Sequence, residues 1–571
     1  MSTELVGFPL SRQQQRLWQL QQRGGALRAW CAVRVRGTLG AAALRERLEA
    51  QVARHDIFRT TFHAVPGQEV LQVVAEQGAA RWRELDLRGL TPQAQQERLE
   101  ETFAEEERAP YEARRDAPLR ATLAHLSETE RVLVLGLPSL CGDAGTLRNL
   151  VAALAAGGEP DEEPVQYAQF ADWQRELLEE QSEEARGARA HWRRQEETPV
   201  PRLPLEREAP EGPFQPGTVA EALDAQLEAG VAGLARRHGV TPESVLLACW
   251  SLLLWRLSGQ GELAVAVGLE GRTLEDLRDA LGPFARAVPV RLRLDGRRPP
   301  RFPALLAQVG ESLKTAERWQ DHAGALETPV PAWQFELHAP WESGARSGVT
   351  LSLLRLRCHA EPFRLKLSVL RREDGLVAEL HHDPRRLVPE AVRQLAEGLV
   401  AVVESVVREP GLPVDAVEVL GEAMRRQVLR EWSGASTLAP EETGEPVHVL
   451  VARRAAETPE QPAVEGGGEV LTWGELETRA NQLARRLRAL GAGPDAVVGL
   501  CLERSPKLAV GVLGILKAGA AWLPLDPSYP PERLAFMLKD ARAGWLVAEE
   551  RTTGLLPGER PRVLMDGDAG A

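Results

Sequence analysis

Residues 131–150 read Arg-Val-Leu-Val-Leu-Gly-Leu-Pro-Ser-Leu-Cys-Gly-Asp-Ala-Gly-Thr-Leu-Arg-Asn-Leu, and no other stretch constrains the fold as tightly. From Val132 to Leu137 the side chains are apolar almost without a break, the pattern of a strand covered on both faces. Pro138 stops that run, and Gly142, Ala144 and Gly145 supply small residues for a tight loop. Leu147, Leu150, Val151 and Leu154 then recur at helical spacing, with Thr146 placed to N-cap the helix. Strand, small-residue loop and helix in this order are a common way to present polar groups at a cleft, and standing alone they also read as an ordinary strand–helix connection.

The 571-residue length allows three or four domains. A composition of 43% hydrophobic and 26% charged residues is that of a soluble globular protein. A net charge of −13 argues against nucleic acid as a partner. The five cysteines, Cys31, Cys141, Cys249, Cys358 and Cys501, are widely separated and show neither zinc-ligand spacing nor a disulfide framework. No metal site is expected. The first residues lack a basic segment followed by an apolar one, so no secretory signal is read there. The longest apolar run, 245–255, is interrupted by Ser251 and too short to span a bilayer, which makes it a core helix. These features predict a cytoplasmic protein that uses no membrane.

Ser11 is placed to cap a helix through residue 22, 29–37 alternates like a strand, and 41–55 is amphipathic. Tyr167 leads what reads as one long charged helix to about residue 197. The segment 198–217 holds six prolines and no helical period, and is expected to link two lobes, 1–197 and 218–431. The second lobe is expected to hold helices at 226–238, 242–258 and 388–408. Its mixed sheet is expected to use strands near 263–268, 287–294, 333–338, 349–358, 364–371 and 377–380. A further helix is expected between the first two of these strands. A second linker is read at 432–447, followed by alternating α/β texture over 448–571. No repeat with a period of 20–50 residues is visible.

Several of these stretches resemble the condensation domain of nonribosomal peptide synthetases, followed by the start of an adenylation domain. Ser11-Arg-Gln-Gln-Gln-Arg-Leu-Trp-Gln-Leu20 is similar to the opening motif, and Arg54-His-Asp-Ile-Phe-Arg-Thr-Thr-Phe62 to the second. Tyr167-Ala-Gln-Phe-Ala-Asp-Trp173 is similar to the fourth. Leu281-Gly-Pro-Phe-Ala-Arg-Ala-Val-Pro-Val-Arg291 resembles the fifth, with Arg286 and Ala287 where Asn-Thr is usual. Trp319-Gln-Asp-His322 echoes the sixth. Leu471-Thr-Trp-Gly-Glu-Leu-Glu-Thr-Arg-Ala-Asn-Gln-Leu-Ala484 and Leu516-Lys-Ala-Gly-Ala-Ala-Trp-Leu-Pro-Leu-Asp-Pro-Ser-Tyr-Pro530 are similar to the first two adenylation motifs.

The resemblance implies two chloramphenicol-acetyltransferase-like lobes in a V-shaped pseudodimer, with a tunnel between them, plus a partial adenylation N-subdomain. It implies donor and acceptor carrier domains, each bringing a 4'-phosphopantetheine arm, and attack of an acceptor amine on a donor acyl thioester. The third motif departs from the family's His-His-x-x-x-Asp-Gly. With Asp143 on the motif Asp, Pro138 and Ser139 occupy both His positions and Ala144 the Gly.

Ser139 and Asp143 are therefore the candidate catalytic residues. Arg291, or else Arg286, is the expected partner of Asp143, and Cys141, Gly142 and Gly145 are expected to line the tunnel. His55 and His63 read as structural. His381-His-Asp383 reads as a strand end in a turn, lacking a third zinc ligand. The adenylation-like part stops before the Thr/Ser/Gly-rich phosphate loop and is expected to be cut from a longer domain. ATP and Mg would serve only the complete domain. Two readings follow from the altered motif: an atypical condensation domain, or a non-catalytic interface domain that recruits a carrier or a tailoring enzyme.

Overall fold

The computed structural model describes residues 7–22, 27–64, 69–157, 163–196, 202–210, 212, 214–294, 299–325, 330–341, 349–373, 375–433 and 444–566. The chain divides into two compact units, Met1–Val428 and Leu429–Ala571. Parts of both expected linkers, at 198–201, 211, 213 and 434–443, lie outside the described residues.

The first unit is built on two large sheets. The N-lobe sheet has the strand order Val349–Cys358, Arg28–Gly37, Glu130–Pro138, Arg120–His125, Arg81–Asp86. Its central strand, Glu130–Pro138, is buried from Val132 onward, as its apolar run demands. The helices Ala41–Arg54 and Ala144–Ala156 send Leu44, Leu48, Leu147 and Leu150 into the same core. The C-lobe sheet has six strands, ordered Arg286–Arg293, Glu262–Leu269, Trp333–Leu337, Leu365–Arg372, Gly375–His382, Gly217–Leu223. The helices Ala225–His238, Pro242–Ser258, Phe302–Trp319 and Pro389–Arg408 cover it.

Four expectations need correction. The strand Val349–Cys358 leaves the lobe that contains its neighbours in sequence and pairs antiparallel with Arg28–Gly37, from Val349 opposite Gly37 to Cys358 opposite Ala29. Alternation marks a strand but not its sheet. The charged helix from Tyr167 is two helices, Tyr167–Glu179 and Glu183–Glu196. Ser182 separates them, its Oγ accepting from the Ala185 N–H at 3.1 Å as a new N-cap. Only a short 3₁₀ turn, Glu275–Leu277, occupies the place of the helix expected after residue 268. Finally, Phe302–Trp319 is a helix unassigned above, with Pro303 in its first turn and Leu305, Leu306, Val309 and Leu313 on its buried face.

The second unit carries a parallel sheet ordered Ala521–Pro524, Val497–Cys501, Trp545–Ala548, Arg562–Leu564, together with the hairpin Pro462–Gly466 and Glu469–Thr472. The helix Trp473–Ala489 begins with a reciprocal cap between Thr472 and Glu475. Among the described residues no single helix is long and apolar enough to cross a membrane.

Candidate active site

After Pro138 the chain turns sharply, with Cys141 N–H donating to the Pro138 carbonyl at 2.8 Å, and enters the helix Ala144–Ala156. Asp143, not Thr146, is the N-cap: its Oδ1 accepts from the Thr146 N–H at 2.7 Å. Both residue types cap helices, and the earlier of the two takes the role because its carboxylate reaches the N–H three residues on.

The partner of Asp143 is Arg272. The guanidinium donates from Nη2 to Oδ1 at 3.0 Å and from Nη1 to Oδ2 at 3.2 Å, a two-point contact. Arg291 and Arg286, expected in this role, are engaged elsewhere. Arg291 lies on a strand beside Glu262 at 3.6 Å, and Arg286 pairs with Asp321 at 3.1 Å and donates to the Gln320 carbonyl. Arg272 instead follows Gly271, whose φ of +69° turns the chain back toward the N-lobe, and its guanidinium lies over the Phe284 ring at 4.6 Å. The Ala285 N–H completes the set on Asp143 Oδ2 at 2.7 Å. Burial alone would push the Asp143 pKa up; the Arg272 charge and the N–H donors outweigh it and hold the carboxyl below its ordinary range.

Around this pair the resembling stretches meet. Thr146 Oγ1 donates to the Gly282 carbonyl at 2.6 Å. The Tyr167 hydroxyl lies 2.9 Å from Ser11 Oγ and donates to the Pro283 carbonyl at 3.1 Å. Gln14 donates to the Leu140 carbonyl at 3.2 Å. Segments far apart in sequence thus converge on one buried junction between the lobes.

Ser139 is buried there, its hydroxyl donating to the His359 carbonyl at 3.1 Å. His359, which sequence reasoning missed, follows the strand that crosses between the lobes. Its ring stacks edge-on against His381 and Phe363, and neither ring nitrogen has a hydrogen-bond partner among the described residues. Burial, with Lys366 and Arg357 nearby, keeps its pKa well below the usual histidine value and the ring neutral.

Cys141, Gly142 and Gly145, expected to line a tunnel, are instead buried against protein atoms. Cys141 is wholly buried in the N-lobe core, and burial drives its thiol pKa up. A Cβ on Gly142 would meet Leu137 at 2.6 Å, and one on Gly145 would meet Arg272 at 2.3 Å. These glycines make room for protein atoms. His55 is buried and has a pKa lowered to about 4, chiefly by burial; His63 lies 3.0 Å from Thr61 Oγ1. His381 and His382 close the strand Gly375–His382, and Asp383 pairs with Arg385 at 2.8 Å in the turn beyond. Among the described residues no group of His, Cys, Asp and Glu could hold a metal ion.

Comparisons with known proteins identify the family. The condensation-domain family model matches residues 7–429, and that of AMP-binding enzymes matches 451–566. One of the linear gramicidin synthase proteins of Brevibacillus parabrevis is 31% identical over 98% of this chain, which corresponds to 8% of that protein. The chain spans 8–12% of the length of the first curated relatives it matches. The first condensation domain of the CDA synthetase superposes with a TM-score of 0.64 at 18% identity, covering 73% of this chain and 99% of that one. The X-domain from teicoplanin biosynthesis gives 0.62 at 27% identity over 74% and 99%, and its complex with OxyB gives 0.60 over 74% and 97%. The chain belongs to the condensation-domain family of nonribosomal peptide synthetases, with two chloramphenicol-acetyltransferase-like lobes, and continues into part of an AMP-binding domain.

Proposed function

We propose that residues 7–429 form an atypical condensation domain that joins a donor acyl or peptidyl thioester to an acceptor aminoacyl thioester. Both substrates ride on 4'-phosphopantetheine arms of carrier domains in the cytoplasm. The observation that supports this reading is the intact Asp143–Arg272 clasp, which keeps the motif-three turn buried at the lobe junction although both motif histidines are replaced.

Positioning is the main source of rate on this reading. Asp143 has its oxygens filled by N–H donors and its pKa held low, and the Ser139 hydroxyl, hydrogen-bonded to a carbonyl, is intrinsically a very weak base, so neither is set to accept a proton from an amine. A placed general base contributes about 10²–10⁴-fold, or about 3–5 kcal/mol. Holding two reactants together supplies about 7–11 kcal/mol. An acceptor α-amine with a pKa near about 8 is partly neutral without help. The geometry therefore favours an amine acceptor over a hydroxyl, which needs its proton removed.

The replaced histidines and the similarity to the teicoplanin X-domain, solved in complex with OxyB, favour a second reading: a non-catalytic platform that recruits a carrier or tailoring enzyme. Mixing the purified chain with loaded donor and acceptor carriers separates the two. Condensed thioester above the no-enzyme rate supports the first reading. No condensation, with a carrier or tailoring enzyme retained in a pull-down, supports the second.

A further inference from the structure

A cavity of about 300 Å³ opens between the helix Arg12–Gln22 and the start of the strand Arg286–Arg293, bordered by Arg12, Gln13, Arg16, Arg286, Ala287 and Glu361. Two of its borders are tied to the motif-three turn. Ala285, next to Arg286, donates to Asp143, and His359, two residues before Glu361, accepts from Ser139. The space thus adjoins the place where the third motif would act. Exposed Arg12 and Gln19 border its solvent side.

The charges around it do not balance. Arg16 is met by Glu361 at 2.6 Å and Arg286 by Asp321 at 3.1 Å. Arg12 donates to the neutral Gln15 amide oxygen at 3.2 Å. Three guanidinium groups against two carboxylates leave one positive charge. Arg286 is only 6% exposed, and its Nη2 is buried with no hydrogen-bond partner among the described residues. A buried guanidinium N–H without an acceptor is costly unless a ligand supplies one.

We infer that this cavity is a subsite for a carboxylate on the acyl group of a carrier-bound substrate, a dicarboxylic amino acid residue, held by Arg286 and Arg12. The inference rests on the condensation reading and names its substrate class. The single surplus charge matches a monoanion, and a guanidinium presents two N–H groups to a carboxylate in one plane. Joined to its carrier, the phosphate of a pantetheine arm is a diester and also carries a single charge, but only recognition of a side-chain carboxylate makes acid and amide bind differently.

The test is binding of aspartyl-S-pantetheine, asparaginyl-S-pantetheine, pantetheine and pantetheine 4'-phosphate to the whole chain, measured by calorimetric titration. The acid is expected to bind at least about tenfold more tightly than its neutral isostere. Arg286→Lys should keep that preference and Arg286→Asn should lose it. Arg12→Gln, on the exposed rim, should reduce it without disturbing the core. Equal affinity for acid and amide, or a preference that survives both charge-removing substitutions, would overturn the inference. So would selection of pantetheine 4'-phosphate over pantetheine with no preference between acid and amide. Condensation with neutral acyl groups is scored separately. Turnover without acid preference sinks the subsite alone, and acid preference without turnover sinks the reaction alone.

Discussion

Arg272 and Asp143, 129 residues apart in sequence, meet through two parallel hydrogen bonds of 3.0 and 3.2 Å in a place almost closed to water. The arginine leaves the C-lobe sheet by a glycine turn, and the carboxylate caps the helix that follows the motif-three strand. One contact therefore sets the helix start, the lobe junction and the Ser139 turn together. It is a geometric fastener whose loss would be felt at each of these places.

Asp143→Asn keeps the shape but leaves a buried guanidinium without its counter-charge. Urea denaturation should show the condensation unit destabilised by about 3–5 kcal/mol. Pairing Asp143→Leu with Arg272→Met should cost less than the sum of the two single changes, because neither then strands a charge.

Gly145→Ala adds one carbon where the Arg272 Nη1 atom lies 2.3 Å away. Alanine is otherwise the better helix former, by about 1 kcal/mol. The substitution should nevertheless lower the melting temperature of the wild-type background and raise that of an Arg272→Ala background.

Acidification should weaken the fold in two stages. His55, His191, His322, His359, His381 and His382 all have lowered pKa values, mainly through burial. Below about pH 6.5 the unfolded chain binds protons that these folded imidazoles refuse, so stability falls with pH. Glu107, Glu243 and Glu361 have raised pKa values and act in the opposite sense, but they are fewer. Asp143, whose folded pKa is depressed, adds a further loss below about pH 4. Unfolding midpoints measured from pH 8 to 4 should therefore drop below pH 6.5, and His55→Asn should flatten the slope down to about pH 4.

The thiols should be silent in the native protein. Cys31, Cys141, Cys249, Cys358 and Cys501 are all free, and burial raises the pKa of each. A chromogenic disulfide reagent at pH 8 should react slowly with the folded chain and titrate five thiols after denaturation.

Ser139→Ala should cost about 1 kcal/mol, the worth of its bond to the His359 carbonyl, and leave condensation with loaded carriers unchanged. Ser139→His returns an imidazole to the motif. If both substrates reach the turn, condensed thioester should form up to about 10²–10⁴ times faster. An unchanged rate would show that the rebuilt imidazole does not take part.

Local pattern was legible where neighbouring residues decide it. The run 132–137 became a buried strand and the proline after it ended the apolar stretch. Ser11 caps its helix, with Gln14 N–H donating to Ser11 Oγ at 3.1 Å. What sequence could not supply was the choice of partner across the lobes. Arg272 carries no periodic signal, and its identity depends on where a positive-φ glycine turns the chain. Asp143 and Thr146 are both cap-formers three residues apart, so only geometry tells which one accepts. The glycines of the turn looked like tunnel lining because small residues suit a passage; they equally suit the close approach of a guanidinium, and that is their use at position 145.

The exchange of Val349–Cys358 onto the strand Arg28–Gly37 has a consequence for anyone who would dissect the molecule. Residues 1–197 expressed alone would carry an unclosed sheet margin, an invitation to polymerise. The remainder would trail an orphan ribbon with nothing to zip onto. Cutting at the proline-rich segment does not yield two independent halves, and a synthetic peptide spanning 349–358 is the natural plug for the first fragment.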